Sequence, residues 1–533
     1  MRSFVLFFTI LPAEFQLHAQ APFSIQLEEV TAAGLPGVQS FAWGQDSLAR
    51  ILIIAGRTDG LHRRQPFASF DAAGNNGTLY VLDTSGTLLA SRDLGSDLTL
   101  DQREQLSSTN PEFIQRGNPL YFVGGYGYRT SLSDHSTFDR LIAIDVNQTV
   151  QQILNDQPID AHVRTLTDTS FAATGGYIGL LSDTFYLVGG QYFHGRYNPM
   201  GPTHEPGFTQ RYTNVIRTFS LFDDGTSLVL SNVSETRNEQ DLHRRDYNLA
   251  AQIFPGDQRG FTAFSGVFQP QTDLPWLNFV DIVPESYTVR NDAQQQLNQY
   301  HIAHVVVYDE ATLSNHTVFF GGLARYVPNS SGGLDDDTNV PFTSTISCIS
   351  RDSANALSEH YFAEQMPGLL GSGAEFIPAA GSNYDDQEIL HWTGNENYPV
   401  LAGYVYGGIE SSAANIFFVN DGSQSDAGLR WFKVWLVPGN VSSWEAVAPS
   451  NADRVKVYPN PSSGKIHLEV YNPLSTRIKI KIYDAHGRTI NEGEFSLNNE
   501  NRVVLEGPDG IFGRLLVEVE NSGRIHKQWI HHH

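Results

Sequence analysis

Six apolar runs in this chain stop abruptly at glycine, and no other feature limits its fold as strongly. They are Ile51-Leu-Ile-Ile-Ala-Gly56, Pro119-Leu-Tyr-Phe-Val-Gly-Gly125, Phe185-Tyr-Leu-Val-Gly-Gly190, Phe261-Thr-Ala-Phe-Ser-Gly266, Thr317-Val-Phe-Phe-Gly-Gly322 and Tyr404-Val-Tyr-Gly-Gly408. By subtraction their last glycines stand 69, 65, 76, 56 and 86 residues apart. A β-rich unit of that length cannot bury a core alone, so the repetition predicts radial stacking into an all-β, six-bladed propeller. The two longest intervals leave seven blades as the alternative.

Each unit follows one plan. In the second, an inner strand near 111–116 turns at Gly117-Asn118 and returns as 119–125. A polar loop 126–139, a third strand 140–146 and an outer strand over 149–154 complete it. The third unit repeats this with strands at 177–181, 185–190, 215–222 and 227–231. A strand ends in glycines because blades crowd near the axis, where lack of a Cβ admits a neighbouring backbone and a positive φ. The alternating run Phe23–Val30 is the expected closing strand of the last blade, beside 413–419 and 429–437; pairing the two ends removes open sheet edges. In these glycine pairs the chain resembles the kelch repeat over about 25–440, with Ala55-Gly56 and Ser265-Gly266 departing from the pair. Kelch propellers include a copper oxidase built on a cysteine-linked tyrosine. The one cysteine here, Cys348, lies in the alternating run 344–350 and does not fit that setting.

Lysine usage marks a second module. No lysine precedes Lys433, and the last five follow a linker-like stretch at 449–454. The remainder, 455–533, alternates as a small antiparallel sandwich. Its Tyr458-Pro-Asn-Pro461 and Asp484-Ala-His-Gly-Arg488 resemble the C-terminal sorting domain of the type IX secretion system of Bacteroidetes. That resemblance implies the secretion machinery as a partner and a secreted or outer-surface location. At the other end, Arg2, the apolar run 4–12 and Ala19-Gln20-Ala21 read as a signal peptide over 1–20, leaving 21–448 to the propeller. A formal charge of −24 argues against nucleic acid, and no run after residue 20 is long enough to span a bilayer.

Loops that follow the glycines converge on one face. They carry Arg57, Asp59, His62, Arg63 and Arg64, then Tyr126, Tyr128, Arg129 and His135, then Tyr192, His194, Arg196 and Tyr197, then Arg325, Tyr326 and Glu410. The lead-in to blade four adds His243, Arg244, Arg245, Asp246 and Tyr247, and Tyr300, in the run Tyr300-His-Ile-Ala-His304, is a further candidate. Leu-His-Arg-Arg occurs twice, at 61–64 and 242–245. Arginine forks suit carboxylate, sulfate or phosphate, and tyrosine offers a flat wall with a hydroxyl; the same arginines can instead pair with nearby aspartates as loop struts. His301 and His304 differ by an odd number, so on a strand they point to opposite faces. Asp335-Asp-Asp337 lacks calcium-loop spacing, and neither a metal nor a cofactor is expected. Two functions fit: a binding protein gripping an extracellular carbohydrate or protein, or a carbohydrate-active enzyme acting on an acidic sugar, with Asp59, Asp246 or Glu410 as acid or base beside His62 and His243.

Overall fold

The structure, a computed structural model, describes residues 21–63, 69–197, 207–394, 396, 398–439, 455–458, 465–470, 475–483, 488–498, 501–506, 513–521 and 524–532. It divides into two compact units, 1–442 and 443–533. The signal-like segment 1–20, Arg64, the linker 449–454 and the Pro-Asn-Pro turn lie outside the described residues.

Six antiparallel sheets make the first unit a propeller. Blade one consists of Ala42–Gln45, Ile51–Ile54, Thr78–Leu82 and Leu88–Asp93; blade two of Glu112–Gln115, Pro119–Val123, Arg140–Asp145 and Val163–Thr167. Blade three takes Tyr177–Leu181, Thr184–Val188, Val215–Asp223 and Leu228–Arg237, and blade four Asn248–Phe254, Gln258–Phe264, Phe279–Val283 and Ser286–Arg290. Blade five pairs His304–Asp309, Ser314–Phe320, Thr345–Arg351 and Leu357–Gln365. Blade six pairs Leu369–Pro378, Val400–Ser411 and Trp431–Pro438 with the N-terminal Phe23–Val30 outermost. Apolar side chains of adjacent blades interleave; Leu52 and Ile54 of blade one, for example, meet Leu120 and Phe122 of blade two. The closing strand is anchored the same way, since Phe23 lies against Phe362 and Trp392 of the neighbouring layers.

The glycine pairs have a specific job. In every blade the N–H of the last glycine donates to a carbonyl at the entry of the next blade, before its first strand or, in blade six, at the start of it: Gly56 to Ser108, Gly125 to Ala173, Gly190 to Arg244, Gly266 to Gln299, Gly322 to Leu370 and Gly408 to Val38. A second circuit lies just inside. Asn110 N–H donates to Ser40 O, Gly175 to Asn110, Asp246 to Gly175, His301 to Asp246, Gly373 to His301 and Ser40 to Gly373, at 2.7–3.2 Å. This closed ring of six backbone hydrogen bonds, one residue from each blade, fixes the count at six.

Three local expectations are corrected. Residues 149–154 are not an outer strand; Val146–Leu154 is a helix capped by the Asp145 carboxylate on Gln148 N–H, and Val163–Thr167 takes the outer position. Segment 413–419 pairs with no sheet. The loop 126–139 is a hairpin, Tyr126–Arg129 with Asp134–Thr137, and joins a second hairpin from blade three, Gln191–His194 with Thr209–Tyr212.

The second unit is a sandwich of two antiparallel sheets. Val455–Tyr458, Lys465–Val470 and Arg502–Glu506 form one; Thr489–Ser496, Arg477–Tyr483, Gly513–Asn521 and Arg524–His532 form the other. Ile466, Leu468, Ile478, Ile480, Ile482, Leu515 and Val517 fill the space between them.

Candidate functional site

The ring of six is the floor of a funnel of about 700 Å³ on the glycine-pair face. Ser40, Asn110, Asp246 and His301 present polar side chains there, whereas Gly175 and Gly373 present none. Both glycines hold positive φ, and a Cβ on Gly175 would stand 2.5 Å from the Asp246 carboxylate. Ser40, Asn110 and Asp246 adopt the same left-handed backbone without glycine's freedom, a strain of the kind that collects at binding sites.

One wall is a closed circuit of six aromatic rings. Phe70 meets Tyr126 (5.3 Å between centroids), Tyr126 meets Phe193 (5.3 Å), and Phe193 stacks on Phe208 (4.7 Å). Phe208 meets Tyr197 (5.4 Å), Tyr197 meets His62 (5.1 Å), and His62 stacks back on Phe70 (4.8 Å). All six border the funnel. Burial pushes the His62 imidazole down to about 4, with the charges of Arg245 and Arg57 adding to it and the Arg63 carbonyl opposing. His62 therefore behaves at neutral pH as another flat, uncharged ring.

Among the described residues two arginines line the funnel wall, and both already hold a carboxylate. Arg57 grips Asp59 with two nitrogens (2.5 and 2.6 Å) and also bonds Asn75 and the Asp71 carbonyl. Arg245 pairs with Asp246, donates to Tyr212 Oη at 3.1 Å and lies over Phe268. At the floor, His301 Nε2 and Glu375 Oε1 are 3.0 Å apart. Burial alone would lower the His301 imidazole, but the hydrogen bond and charge of Glu375 outweigh it and raise it.

Of the residues singled out from the sequence, Arg57, His62, Tyr126, Tyr197, Arg245, Asp246, Tyr300 and His301 line the funnel. The two Leu-His-Arg-Arg segments reach it through Leu61, His62 and Arg245. The other described ones lie off it. Asp59 serves Arg57; Tyr128 is 39% exposed on its hairpin; Arg129 pairs with Asp139 and covers Phe138. His194 pairs in the hairpin sheet with Ser136, and Arg196 donates to the Ser69 carbonyl. His243 stacks on Tyr212 (3.7 Å), and Arg325 forks onto Asp336. Glu410 points to Arg430, 3.6 Å away. Arg244 is a strut, bonded to the Ser265 carbonyl and Asn278 under Trp276. His301 and His304 do not share a strand, because the strand begins at His304; His301 faces the funnel. Phe70, Phe193 and Phe208 carried no polar signal in the sequence. Cys348 is fully buried inside blade five, its thiol pushed up to about 12 by burial. Among the described residues no His, Cys, Asp or Glu side chains group as a metal set.

Below the floor, Glu112 accepts from Gly176 N–H at 2.7 Å, while its Oε2 is buried without a partner. Burial, reinforced by the charge of Asp246, pushes this carboxyl up to about 8 against the pull of the backbone N–H groups. A carboxyl that holds its proton in the fold contributes stability below its unfolded pKa near 4.5 and loses it as pH rises through 8. Thermal unfolding of the native protein should thus fall between pH 5 and 8.5 more steeply than that of Glu112→Gln, by a difference on the order of 3 kcal/mol. Parallel curves would mean that Glu112 is ionised in the fold.

Residues 456–528 match the family of secretion system C-terminal sorting domains. No curated protein matches the chain. Among solved structures, a copper-bound fungal alcohol oxidase of the AA5 family is 9% identical, with a TM-score of 0.38 over 95% of this chain and 99% of that one. YjhT is 10% identical, with a TM-score of 0.42 over 74% of this chain and 99% of that one. At those values neither carries a site or an activity across. No helix among the described residues is long and apolar enough to cross a membrane. The chain bears a sorting domain and is exported through the type IX system, to be secreted or attached at the cell surface.

Proposed function

We propose that this is an exported binding protein that holds a carbohydrate without net charge in the funnel of its propeller. The observation that carries the reading is the aromatic circuit standing over a polar ring. Sugar C–H faces stack on flat rings, while their hydroxyls need paired planar donors and acceptors, which Asn110, Gln191 and the Arg245–Asp246 pair supply. A cavity of about 700 Å³ is of the size that takes a small ligand of a few rings. An acidic sugar is less favoured, because Arg57 and Arg245 already have carboxylate partners. A flat protein surface would not need the depth.

Calorimetric titration of the protein with neutral oligosaccharides tests this, with His62→Ala and Phe208→Ala as controls. Each substitution should weaken binding about tenfold, the loss of one stacking contact near 1.4 kcal/mol, with little change in melting. Binding that survives both, or a panel that gives no heat, removes the proposal. A second reading, acid–base catalysis on the bound sugar, rests on His301 held by Glu375 at the floor. It expects product from a bound oligosaccharide, abolished in Glu375→Gln and His301→Asn while binding persists.

A further inference from the structure

We infer that the funnel receives the end of a saccharide chain and not a stretch from its middle, an inference that rests on the carbohydrate reading above. A chain held at an internal unit needs two ways out of its site. Among the described residues this funnel has one. The polar ring narrows its floor, and Tyr177, His304 and Glu375 crowd the axis beneath His301, the Tyr177 ring lying 5.0 Å from His301 and 6.2 Å from His304.

The far end of the axis is shut by a segment of blade six. After Pro378 the chain leaves its blade, and Ile389–Trp392 returns to pair in parallel with the inner strand of blade five, Val306 opposite Ile389 through Asp309 opposite Trp392. On the way Gln387 Nε2 donates to Leu180 O of blade three (3.2 Å), and Asp385 takes Arg259 of blade four. Ser382 and Tyr384 hydroxyls donate to Leu401 O and Ala402 O of blade six (both 2.7 Å). A segment tied to blades three, four, five and six crosses the axis. None of its residues borders the funnel, whose lining stops at the ring. The opening is bordered by Phe417 and Phe418, the latter 64% exposed, so the chain beyond the bound unit can run out over apolar surface.

The site thus counts chain ends. The test uses the full-length protein and four neutral polysaccharides, an α-glucan, a β-1,3-glucan, a mannan and a xylan, each intact and after partial acid hydrolysis, with ends counted by reducing-sugar assay. Affinity electrophoresis or thermal shift then gives the mass concentration at half-saturation. For a glycan that binds, a hydrolysate with about tenfold more ends per gram should half-saturate at about tenfold lower mass concentration. Half-saturation unchanged by hydrolysis, or lower for the intact polymer, overturns the inference and leaves the carbohydrate reading standing. Failure of every glycan in both forms removes the two together.

Discussion

Gly124→Val is expected to leave a protein without a cooperative unfolding transition. A Cβ at Gly124 would stand 2.0 Å from the Ala173 carbonyl and 3.0 Å from Glu112 Oε2, and the residue holds φ at +62°. That carbonyl receives the Gly125 N–H, so blades two and three would have to part at their hydrogen-bonded seam. A β-branched residue is a true outlier at such a φ. Strain of ~1–3 kcal/mol from the backbone, together with the forced separation, puts the loss above ~4 kcal/mol, a large share of the stability of an ordinary domain. Gly117→Ala is the control: its φ is also positive (+63°) but no atom lies near its Cβ, so about 1 kcal/mol is expected. Urea unfolding followed by tryptophan fluorescence separates the two. A Gly124→Val protein with the native midpoint would show that close approach is not what the glycines provide.

This explains why the blade number was legible in the sequence. The seam needs a backbone without Cβ once per blade, so the requirement leaves a periodic mark. Every blade meets it at the last glycine, but in blades one and four the residue before it is Ala55 or Ser265, held in the left-handed region, and the mark is fainter there. Val146–Leu154 misled because its β-branched residues suggest a strand. The helix signal was nonetheless present: an Asp145 cap and buried Val146, Thr149, Val150 and Ile153 at helical spacing.

The site was half legible, and the reason is chemical. Charged and histidine residues after the glycines advertise a functional face, but a sequence does not show which charges satisfy one another. Asp59, Arg129, Arg325 and Glu410 are spent on local pairs. The rings that build the wall, Phe70, Phe193 and Phe208, look like core residues until the fold brings three blades together. The floor is made by lead-in residues of unrelated type, and only their backbones share a role.

The second large effect is expected at the seam between blades four and five. Arg351 is 1% exposed and reaches from blade five to grip both oxygens of Asp281 (2.5 and 2.9 Å), with Thr262 Oγ1 at 3.0 Å and Asn355 Oδ1 at 2.5 Å. Its guanidinium lies over Phe254, 4.7 Å from the ring centroid. Arg290 donates a single bond to Asp281 (3.1 Å) and gives its other nitrogens to Asp292. Arg351→Met would keep most of the volume but leave a buried carboxylate with one shared cation, Arg290, and the Thr262 hydroxyl (2.6 Å), and removing one member of such an ion pair costs about 3–5 kcal/mol. Because the pair is out of solvent, the loss should persist at 1 M salt, where the screening length is about 3 Å. Arg351→Lys cannot fork and should lose less than Met but clearly more than nothing. Arg351→Met with Asp281→Asn, which removes the orphaned charge as well, should recover part of the loss. Equilibrium urea unfolding of the four proteins decides it: if Arg351→Met costs under ~1 kcal/mol, the level of an exposed pair, the network does not hold the two blades together.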